Sequence, residues 1–458
     1  MNSSAFSYLS FINFSNLYNW SVQYAQRKYT LNNDLYDLVP INEFLTRVKE
    51  PVTVEDNLNY KRVSIRLYNA GIGLRDIEKG INIGTKKQFR IHTGQFLLSK
   101  IDARNGAFGV VPEICNDAII TGNFWTFDVN YEKVNPYFLT LVMTSDFFIK
   151  LSEQCSNGTT NRHYLQENLF LDMKIPLPPL KKQKEIIDRY NEKIKLAEEQ
   201  EFKALQLEND IEQFLFSELD VDKQTKENEI QNKNLLSFTD LKKLSRWGVE
   251  YLKTQKSDNT LLKSRTIPMK KLGSIVEIDP KNNFSALNED LEMSFIPMQC
   301  ISDENGEIIK LENGINKKSK GYTRFKEGDL IWAKITPCMQ NGKSAILKGL
   351  KNGYGYGSTE FYVIRNLNSN ICLDYIYHIL RTKLVRQDAV KYFTGSSGQQ
   401  RVPKSYLQNL EIPLPDFDKQ KNISNQIYTI KMEIKNLKQE AEQNRITAQE
   451  EFEKELFE

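Results

Sequence analysis

The chain has 458 residues, of which 40% are hydrophobic and 26% charged, as in ordinary folded proteins of two to four domains. Its apolar runs are interrupted well short of 18 residues, and its first residues lack a basic start before a continuous apolar core. We therefore expect neither a transmembrane helix nor a secretory signal. The five cysteines form no CxxC pair, which argues against a zinc cluster or a disulfide framework and favours a reducing cytoplasm.

Charge is unevenly distributed, although the formal net charge is only +3. Residues 246–412 carry 25 Lys and Arg against 17 Asp and Glu, whereas residues 181–245 and 413–458 each have an acidic excess of three. A basic globular block indicates a polyanionic partner, and acidic helices indicate a protein partner. On charge alone, a solvated surface with a local excess is the simpler explanation.

Segments of the first half of the chain return in the same order in the second half. The pairs are NWSVQY (19–24) with RWGVEY (246–251), 93–111 with 327–347, 121–130 with 357–366, and 156–178 with 393–415. The offset drifts only from 227 to 237 residues, and chance similarity does not preserve order in this way. The sequence therefore predicts two copies of one unit, each with a globular domain followed by a long helix.

The globular part of each copy is predicted to mix strands and helices. QFLLSKI and DLIWAKI are apolar runs of strand length that follow a turn containing glycine. Segments 135–154 and 372–393 carry apolar residues at helical spacing, and a glycine-rich loop follows each of them.

Each globular part ends at a proline-rich junction, IPLPP at 175–179 and IPLPD at 412–416. Proline ends strands and starts helices, so the junction stops the domain and directs the helix that follows. Apolar spacings of three and four predict that the two helices, each roughly 58 Å long, pair as an antiparallel coiled coil. The predicted seam and partner-facing residues are Ile187, Ile194, Ile211, Ile423, Ile427, Ile430, Ile434 and Leu437. We expect Ile430 and Leu437 to be buried in this seam.

The predicted fold class is α+β, with two tandem mixed α/β domains separated by two long helices in an antiparallel coiled coil of pseudo-two-fold symmetry. The predicted boundaries are 1–180 for the first globular domain, 181–220 for the central helix, 221–245 for a linker, 246–415 for the second globular domain and 416–458 for the C-terminal helix.

Motifs for catalysis or metal binding are weak. His92, His163 and His378 have no metal-ligand spacing. NPYF at 135–138 lacks the second proline of an amino-methyltransferase loop, and PCMQNGKS at 337–344 has proline where a phosphate-binding loop requires glycine. The sequence therefore predicts no catalytic residue and no metal site.

Two pairs of loops occupy matching places in the two copies and carry side chains suited to nucleic acid. Hydroxyls and backbone amides bond phosphates, and Arg, Asn and Gln read base edges. The candidates in the first pair are Thr159, Thr160, Asn161, Arg162, Ser396, Ser397, Gln399, Gln400 and Arg401. The candidates in the second pair are Lys100, Arg104, Asn105, Lys334, Gln340 and Lys343. Capped turns and Asn-Gly turns would explain the same loops without any ligand.

The duplicated IPLP junction, followed by a KQK helix, resembles the DNA specificity subunit of type I restriction-modification systems over nearly the whole chain. The resemblance implies two target recognition domains, each reading one half of a split site in double-stranded DNA. It also implies that the helices set the spacer and dock two methyltransferase subunits, that motor-nuclease subunits join, and that no membrane is involved. S-adenosylmethionine, ATP and Mg would then be bound in those partners, with no cofactor in this non-catalytic chain.

Three alternatives stay open at this point. The chain could serve a related split type II or anti-phage methylation system, or be a diverged DNA methyltransferase or nuclease with its own active site. It could also be a DNA-free scaffold that uses the coiled coil for assembly alone. Methyl transfer or DNA cleavage by the purified chain would identify an enzyme, and a mobility-shift assay with the methyltransferase partner would identify a DNA-free scaffold.

Overall fold

The computed structural model describes residues 35–67, 71–154, 156–157, 164–221, 261–396 and 398–457. Their contacts define two compact units, the described parts of Met1–Glu201 with Gln439–Glu458 and of Phe202–Lys438. The repeated segments 19–24 and 246–251 lie outside the described residues, as does the predicted linker 221–245 apart from Val221. The predicted domain boundaries stay predictions.

Short strands build the globular part of the first unit. In chain order they are β1 Leu38–Pro40, β2 Leu45–Val48, β3 Glu50–Thr53, β4 Asn59–Ile65, β5 Ile72–Lys79, β6 Lys87–Ile91, β7 Phe96–Ser99, β8 Phe108–Val110, β9 Ala118–Ile120, β10 Phe124–Val129, β11 Ser156–Asn157, β12 Tyr164–Leu165 and β13 Lys174–Pro176. A four-stranded sheet has the order β2-β10-β7-β8, and a five-stranded sheet has the order β3-β6-β9-β4-β5. β1 pairs with β13, and β11 with β12. The strand predicted from QFLLSKI is β7.

The second unit repeats this plan. Its strands are β14 Met269–Lys271, β15 Val276–Ile278, β16 Glu292–Ile296, β17 Glu312–Ile315, β18 Thr323–Lys326, β19 Leu330–Ala333, β20 Ser344–Ile346, β21 Tyr354–Gly357, β22 Phe361–Asn366 and β23 Glu411–Pro413. The sheet β15-β22-β19-β20 matches β2-β10-β7-β8, and the pair β14-β23 matches β1-β13. A sheet of order β17-β16-β21-β18 takes the place of the five-stranded sheet. The predicted duplication of a mixed α/β domain is confirmed.

Helices occur where the apolar spacing predicts them, and two short helices that it does not predict lie just before the proline-rich junctions. In chain order they are α1 Pro136–Thr144, α2 Asp146–Gln154, α3 Glu167–Leu171, α4 Leu180–Glu218, α5 Leu373–Arg381, α6 Lys383–Val390, α7 Lys404–Asn409 and α8 Phe417–Phe457. Ser145 and Thr382 interrupt the helical segments, and their hydroxyls accept hydrogen bonds from the N–H of Phe148 at 3.2 Å and of Val385 at 3.3 Å. Each hydroxyl caps a new helix, so each copy holds two short helices here. Among the described residues, no helix is both long and apolar enough to cross a membrane.

A buried glutamine of the KQK motif attaches each long helix to its own globular domain. Gln183 is fully buried; its side chain accepts a hydrogen bond from the N–H of Asn135 at 2.8 Å and donates to the carbonyl of Pro178 at 2.8 Å. Gln420 in the second copy is 1% exposed and accepts from the N–H of Cys372 at 2.9 Å. Because a buried polar group must be satisfied, these bonds fix the first turn of each helix against its domain.

The core of the first unit contains residues from both long helices. Ile187 at the start of α4 joins Phe452 and Leu456 at the end of α8 in one cluster. The same cluster contains Phe127 of β10 and Phe170 of α3, both fully buried. The last turns of α8 are therefore part of the hydrophobic core of the first globular domain.

The core of the second unit is built in the reciprocal way. Ile423 and Ile427 at the start of α8 join Leu215 and Leu219 at the end of the α4 segment. Trp332 of β19 lies in the same cluster and is 1% exposed. Each unit thus combines one globular domain, the start of its own long helix and the end of the other helix.

The two long helices run antiparallel within each unit, as predicted. In the first unit, Lys193 of α4 contacts Glu451 at 3.2 Å, and Glu201 contacts Arg445 at 2.9 Å. In the second unit, Glu208 of α4 contacts Lys438 at 2.7 Å, and Leu215 and Leu219 further along the α4 segment share one cluster with Ile423 and Ile427 at the start of α8. Exposed pairs of this kind add little stability, but their order along the helices defines the direction of pairing.

The seam differs from the prediction at Ile430 and Leu437, which are only partly buried. The buried positions of α8 follow a seven-residue repeat through Ile427, Ile434 and Ala441, and Ala448 continues it. In an ideal coiled coil both apolar heptad positions pack in the seam, so the greater burial of this repeat shows that it lies closer to the partner helix than Ile430 and Leu437 do. Of the other predicted seam residues, Ile187, Ile423, Ile427 and Ile434 are buried, and Ile194 and Ile211 are partly buried.

Candidate nucleic-acid interface

The two candidate loops of the second unit lie side by side. The N–H of Thr336 donates to the carbonyl of Gln400 at 2.9 Å, and the N–H of Val402 donates to that of Lys334 at 2.9 Å. Arg401 and Thr394 exchange backbone hydrogen bonds of 2.8 and 2.9 Å across the second loop. The structure therefore brings together predicted residues that are more than 60 positions apart in the sequence.

Arg401 is held by a carboxylate that the sequence analysis does not single out. Its Nε and one terminal nitrogen donate to the two oxygens of Glu360 at 2.8 and 2.7 Å, and its other terminal nitrogen donates to the carbonyl of Gln399 at 2.8 Å. The guanidinium lowers the pKa of Glu360, chiefly through these hydrogen bonds. The pair is therefore ionised at neutral pH.

The other predicted side chains of this unit differ in their exposure and in their contacts. Lys334 lies 4.9 Å from the ring centroid of Tyr362, and Ser396 and Gln399 are exposed. Lys343 donates to the carbonyl of Met298 at 3.2 Å, and the side-chain oxygen of Gln340 accepts from the hydroxyl of Thr336. Lys343 and Gln340 are thus engaged within the protein. Gln400 is partly buried, and Ser397 lies outside the described residues.

The first unit has the same junction of loops. The N–H of Leu165 donates to the carbonyl of Lys100 at 2.9 Å, and the N–H of Lys100 donates to that of Asn123 at 3.1 Å. The Lys100 ammonium lies 5.8 Å from the ring centroid of Tyr164.

The remaining candidates of the first unit lie on a neighbouring turn or outside the described residues. Arg104 is partly buried and Asn105 is exposed, with its amide 3.4 Å from the Asp102 carboxylate. Thr159, Thr160, Asn161 and Arg162 lie outside the described residues. Their roles stay predictions.

Strand register identifies equivalent positions in the two units. Leu98 of β7 faces Trp125 of β10, and Trp332 of β19 faces Tyr362 of β22. Counting outward from these pairs makes Lys100 equivalent to Lys334 and Asn123 equivalent to Glu360. Tyr164 is equivalent to Arg401, because the next residues, Leu165 and Val402, donate their N–H groups to the carbonyls of Lys100 and Lys334. The backbone bonds that these residues share with their neighbours agree with this equivalence.

Sequence reasoning misses Glu360, Asn123 and Tyr164. A carboxylate is not a side chain that one seeks for contact with a polyanion, and Asn123 and Glu360 directly precede strands rather than lie in the candidate loops. The gapless match of 156–178 with 393–415 does place Tyr164 opposite Arg401, and this is the signal that could have found it.

The long helices present large apolar side chains to solvent. On α4, Phe202 and Leu205 are 61% and 55% exposed, and on α8, Tyr428 is 63% exposed. Exposed apolar groups on otherwise acidic helices are typical of surfaces that receive a protein partner.

A family model described as the type I restriction modification DNA specificity domain matches residues 32–200 and 265–446. Two curated relatives from Escherichia coli are the specificity subunits of the type I restriction enzymes EcoEI and EcoAI, each 39% identical over 153 and 154 residues respectively. These alignments cover 33% of this chain and only 25% and 26% of the relatives. The chain therefore matches about a quarter of the length of these relatives.

Solved structures share the fold at low sequence identity. A chain from a study of complex assembly and conformational transition of the type I R-M system has a TM-score of 0.57 at 15% identity, covering 93% of this chain and 97% of that one. The HsdS subunit from Thermoanaerobacter tengcongensis has a TM-score of 0.50 at 15% identity, covering 93% and 98%.

Proposed function

Because the chain belongs to the family of the type I restriction modification DNA specificity domain, we propose that it is the sequence-specific DNA-recognition subunit of a restriction-modification complex. Each globular domain reads one half of a bipartite site, and the paired helices set the spacer. The observation that carries the proposal is the duplicated domain, in which equivalent positions hold Lys100 with Tyr164 in one copy and Lys334 with Arg401 in the other.

The partners follow from the same surfaces. Two methyltransferase subunits dock on the acidic helices, where Phe202, Leu205 and Tyr428 offer apolar contacts, and motor-nuclease subunits join the assembly on double-stranded DNA. The chain carries out no catalysis; S-adenosylmethionine, ATP and Mg belong to the partner subunits. The dispersed cysteines favour a cytoplasmic complex.

Lengthening both long helices should lengthen the spacer between the half-sites. Four residues inserted after Glu201 in α4 and four after Lys438 in α8 add about 6 Å at 1.5 Å per residue. These insertion points keep the ion pairs Arg445–Glu201 and Lys203–Glu433 intact, because both members of each pair lie in the same unit. With base pairs about 3.4 Å apart, the spacer should grow by one or two base pairs while both half-site sequences stay the same. Genome-wide mapping of methylated adenines measures both quantities.

A matched control inserts the four residues in α4 alone. That variant shifts one helix against the other, so we expect loss of methylation rather than a longer spacer. Altered half-site bases with an unaltered spacer would contradict the two-reader proposal. Identical methylation maps in cells with and without this chain would contradict the proposed function itself.

A further inference from the structure

We propose that Glu360 is the positioning residue for Arg401, and that Arg401, held in this way, recognises a guanine in the half-site read by the second globular domain. The inference rests on the proposed function and adds a chemical preference at one named position. It concerns three side chains, Lys334, Glu360 and Arg401, contributed by the end of β19, the start of β22 and the loop before α7.

The hydrogen bonds of Arg401 leave one part of its guanidinium available. The group has five N–H donors, of which Glu360 takes two and the carbonyl of Gln399 takes one. One donor remains on each terminal nitrogen. Guanine presents two neighbouring acceptors, O6 and N7, in the major groove, and a pair of guanidinium donors matches them. An adenine, which presents one acceptor beside a donor, does not satisfy the same pair.

Exposure indicates which side of the pair faces outward. The Arg401 side chain is 39% exposed, whereas the Glu360 side chain is 22% exposed. The carboxylate therefore lies beneath the guanidinium. In this arrangement a polyanion reaches the guanidinium of Arg401 before the carboxylate of Glu360. The negative charge of Glu360 is also offset by Arg401 and Lys334, and both cations lower the pKa of Glu360.

The backbone of Arg401 is fixed as firmly as its side chain. Its N–H and carbonyl both bond Thr394, and the next residue, Val402, donates to the carbonyl of Lys334 at 2.9 Å. Lys334 in turn donates its N–H to the carbonyl of Glu360 at 2.9 Å. Because the side chain is ordered before DNA arrives, little conformational entropy is lost on binding. Preorganisation of this kind favours discrimination between bases.

The first unit supports a role in specificity rather than in stability of the shared fold. Its equivalent positions hold Asn123 and Tyr164, which form no ion pair, yet the surrounding backbone bonds are the same. The framework therefore does not require the Glu360–Arg401 pair. A tyrosine has a single O–H and cannot supply two donors to guanine. We expect the two half-sites to differ at the base pair that faces this position.

The test uses the full-length chain, assembled with its methyltransferase subunits, on DNA libraries randomised in both half-sites. Arg401→Ala should reduce the preference for one guanine in one half-site by roughly tenfold and leave the other half-site unchanged. Glu360→Gln should give a similar reduction at the same base pair. The double variant should match Arg401→Ala alone, because Glu360 acts through Arg401.

A second readout separates positioning from a merely structural role. Loss of the Glu360 charge should strengthen sequence-independent binding at low salt even as guanine preference falls. Glu292→Gln is the matched control, since Glu292 pairs with Lys351 at 2.9 Å elsewhere in the same unit, and it should leave the guanine preference intact. Thermal melting of each variant shows whether the fold is retained.

Three outcomes would overturn the inference. Arg401→Ala could leave every base preference unchanged, Glu360→Gln could retain the guanine preference that Arg401→Ala loses, or both could weaken all sequences equally. Failure of the proposed function looks different, because the wild-type complex would then methylate no bipartite site at all.

Discussion

Replacing Phe452 with alanine should lower the free energy of unfolding of the first globular domain by about 3–5 kcal/mol, although Phe452 lies near the end of α8. The side chain is 3% exposed and packs in the same cluster as Phe127 and Phe170. Its ring lies 6.3 Å from that of Tyr190 of α4 in an edge-on arrangement. Removing the ring leaves a cavity that the surrounding strands and helices cannot fill.

Hydrogen exchange localises the effect. Amides of β7 in the first unit should lose protection in the Phe452→Ala variant, whereas amides of β19 in the second unit should keep theirs. Ile446→Ala serves as the control on the same helix, because Ile446 is 42% exposed and its truncation should change stability little. Loss of protection in β19 with β7 unaffected would show that α8 does not complete the first core.

The second large effect concerns a lysine of α8 in the second unit. The ammonium of Lys431 donates to the hydroxyl of Tyr377 at 3.0 Å and to the carbonyl of Asn305 at 3.1 Å. It also lies 4.8 Å from the ring centroid of Tyr377. These contacts replace most of the water around the charge.

Loss of water and, to a smaller extent, the charge of Arg381 lower the pKa of Lys431 to about 8, while Glu307 and Asp374 oppose the change. The neighbouring His378 has a pKa well below its ordinary value because it is buried. Below pH 8, Lys431 is charged in both the folded and unfolded states, and its desolvation reduces stability. Between pH 8 and the ordinary value of 10.5, the folded state loses the proton first, so stability increases with pH.

Lys431→Met removes this dependence. The unfolding free energy of the wild type, minus that of the variant, should rise by about 2 kcal/mol between pH 7 and pH 10. Urea titrations at four pH values measure the difference, in which other titrating groups cancel. Lys435→Met, on the exposed face of the same helix, is the matched control for removal of a lysine from α8. A flat difference for Lys431→Met would show that the ammonium remains hydrated.

Periodicity and repetition predict much of the fold because they report which faces of each element are buried. QFLLSKI and DLIWAKI become the equivalent strands β7 and β19, and the seams identify α4 and α8. Periodicity cannot show where a side chain interrupts a helix. Ser145 and Thr382 sit within continuous helical spacing, and only their hydroxyl caps divide the segments.

The candidate interface is predictable only in part, because side-chain pairing depends on residues far apart in sequence. The loops holding Lys334 and Arg401 can be located from their repeats and turn residues. Glu360, which bonds Arg401 from 41 positions away, gives no local signal. Prediction of the seam has the same limit. The apolar spacing identifies Ile427 and Ile430 equally well, but it does not show which of them is more deeply buried against the partner helix.

The sharing of helix ends between the two cores determines the order in which the newly made protein can mature. Phe202–Lys438 is continuous in the chain, whereas the first unit also needs Gln439–Glu458. Ribosomes add about 5–20 residues per second, so the strands of the first domain emerge roughly 10–50 s before the residues that complete their core. The domain synthesised first is therefore the last to close, and until then its exposed apolar surface is prone to aggregation.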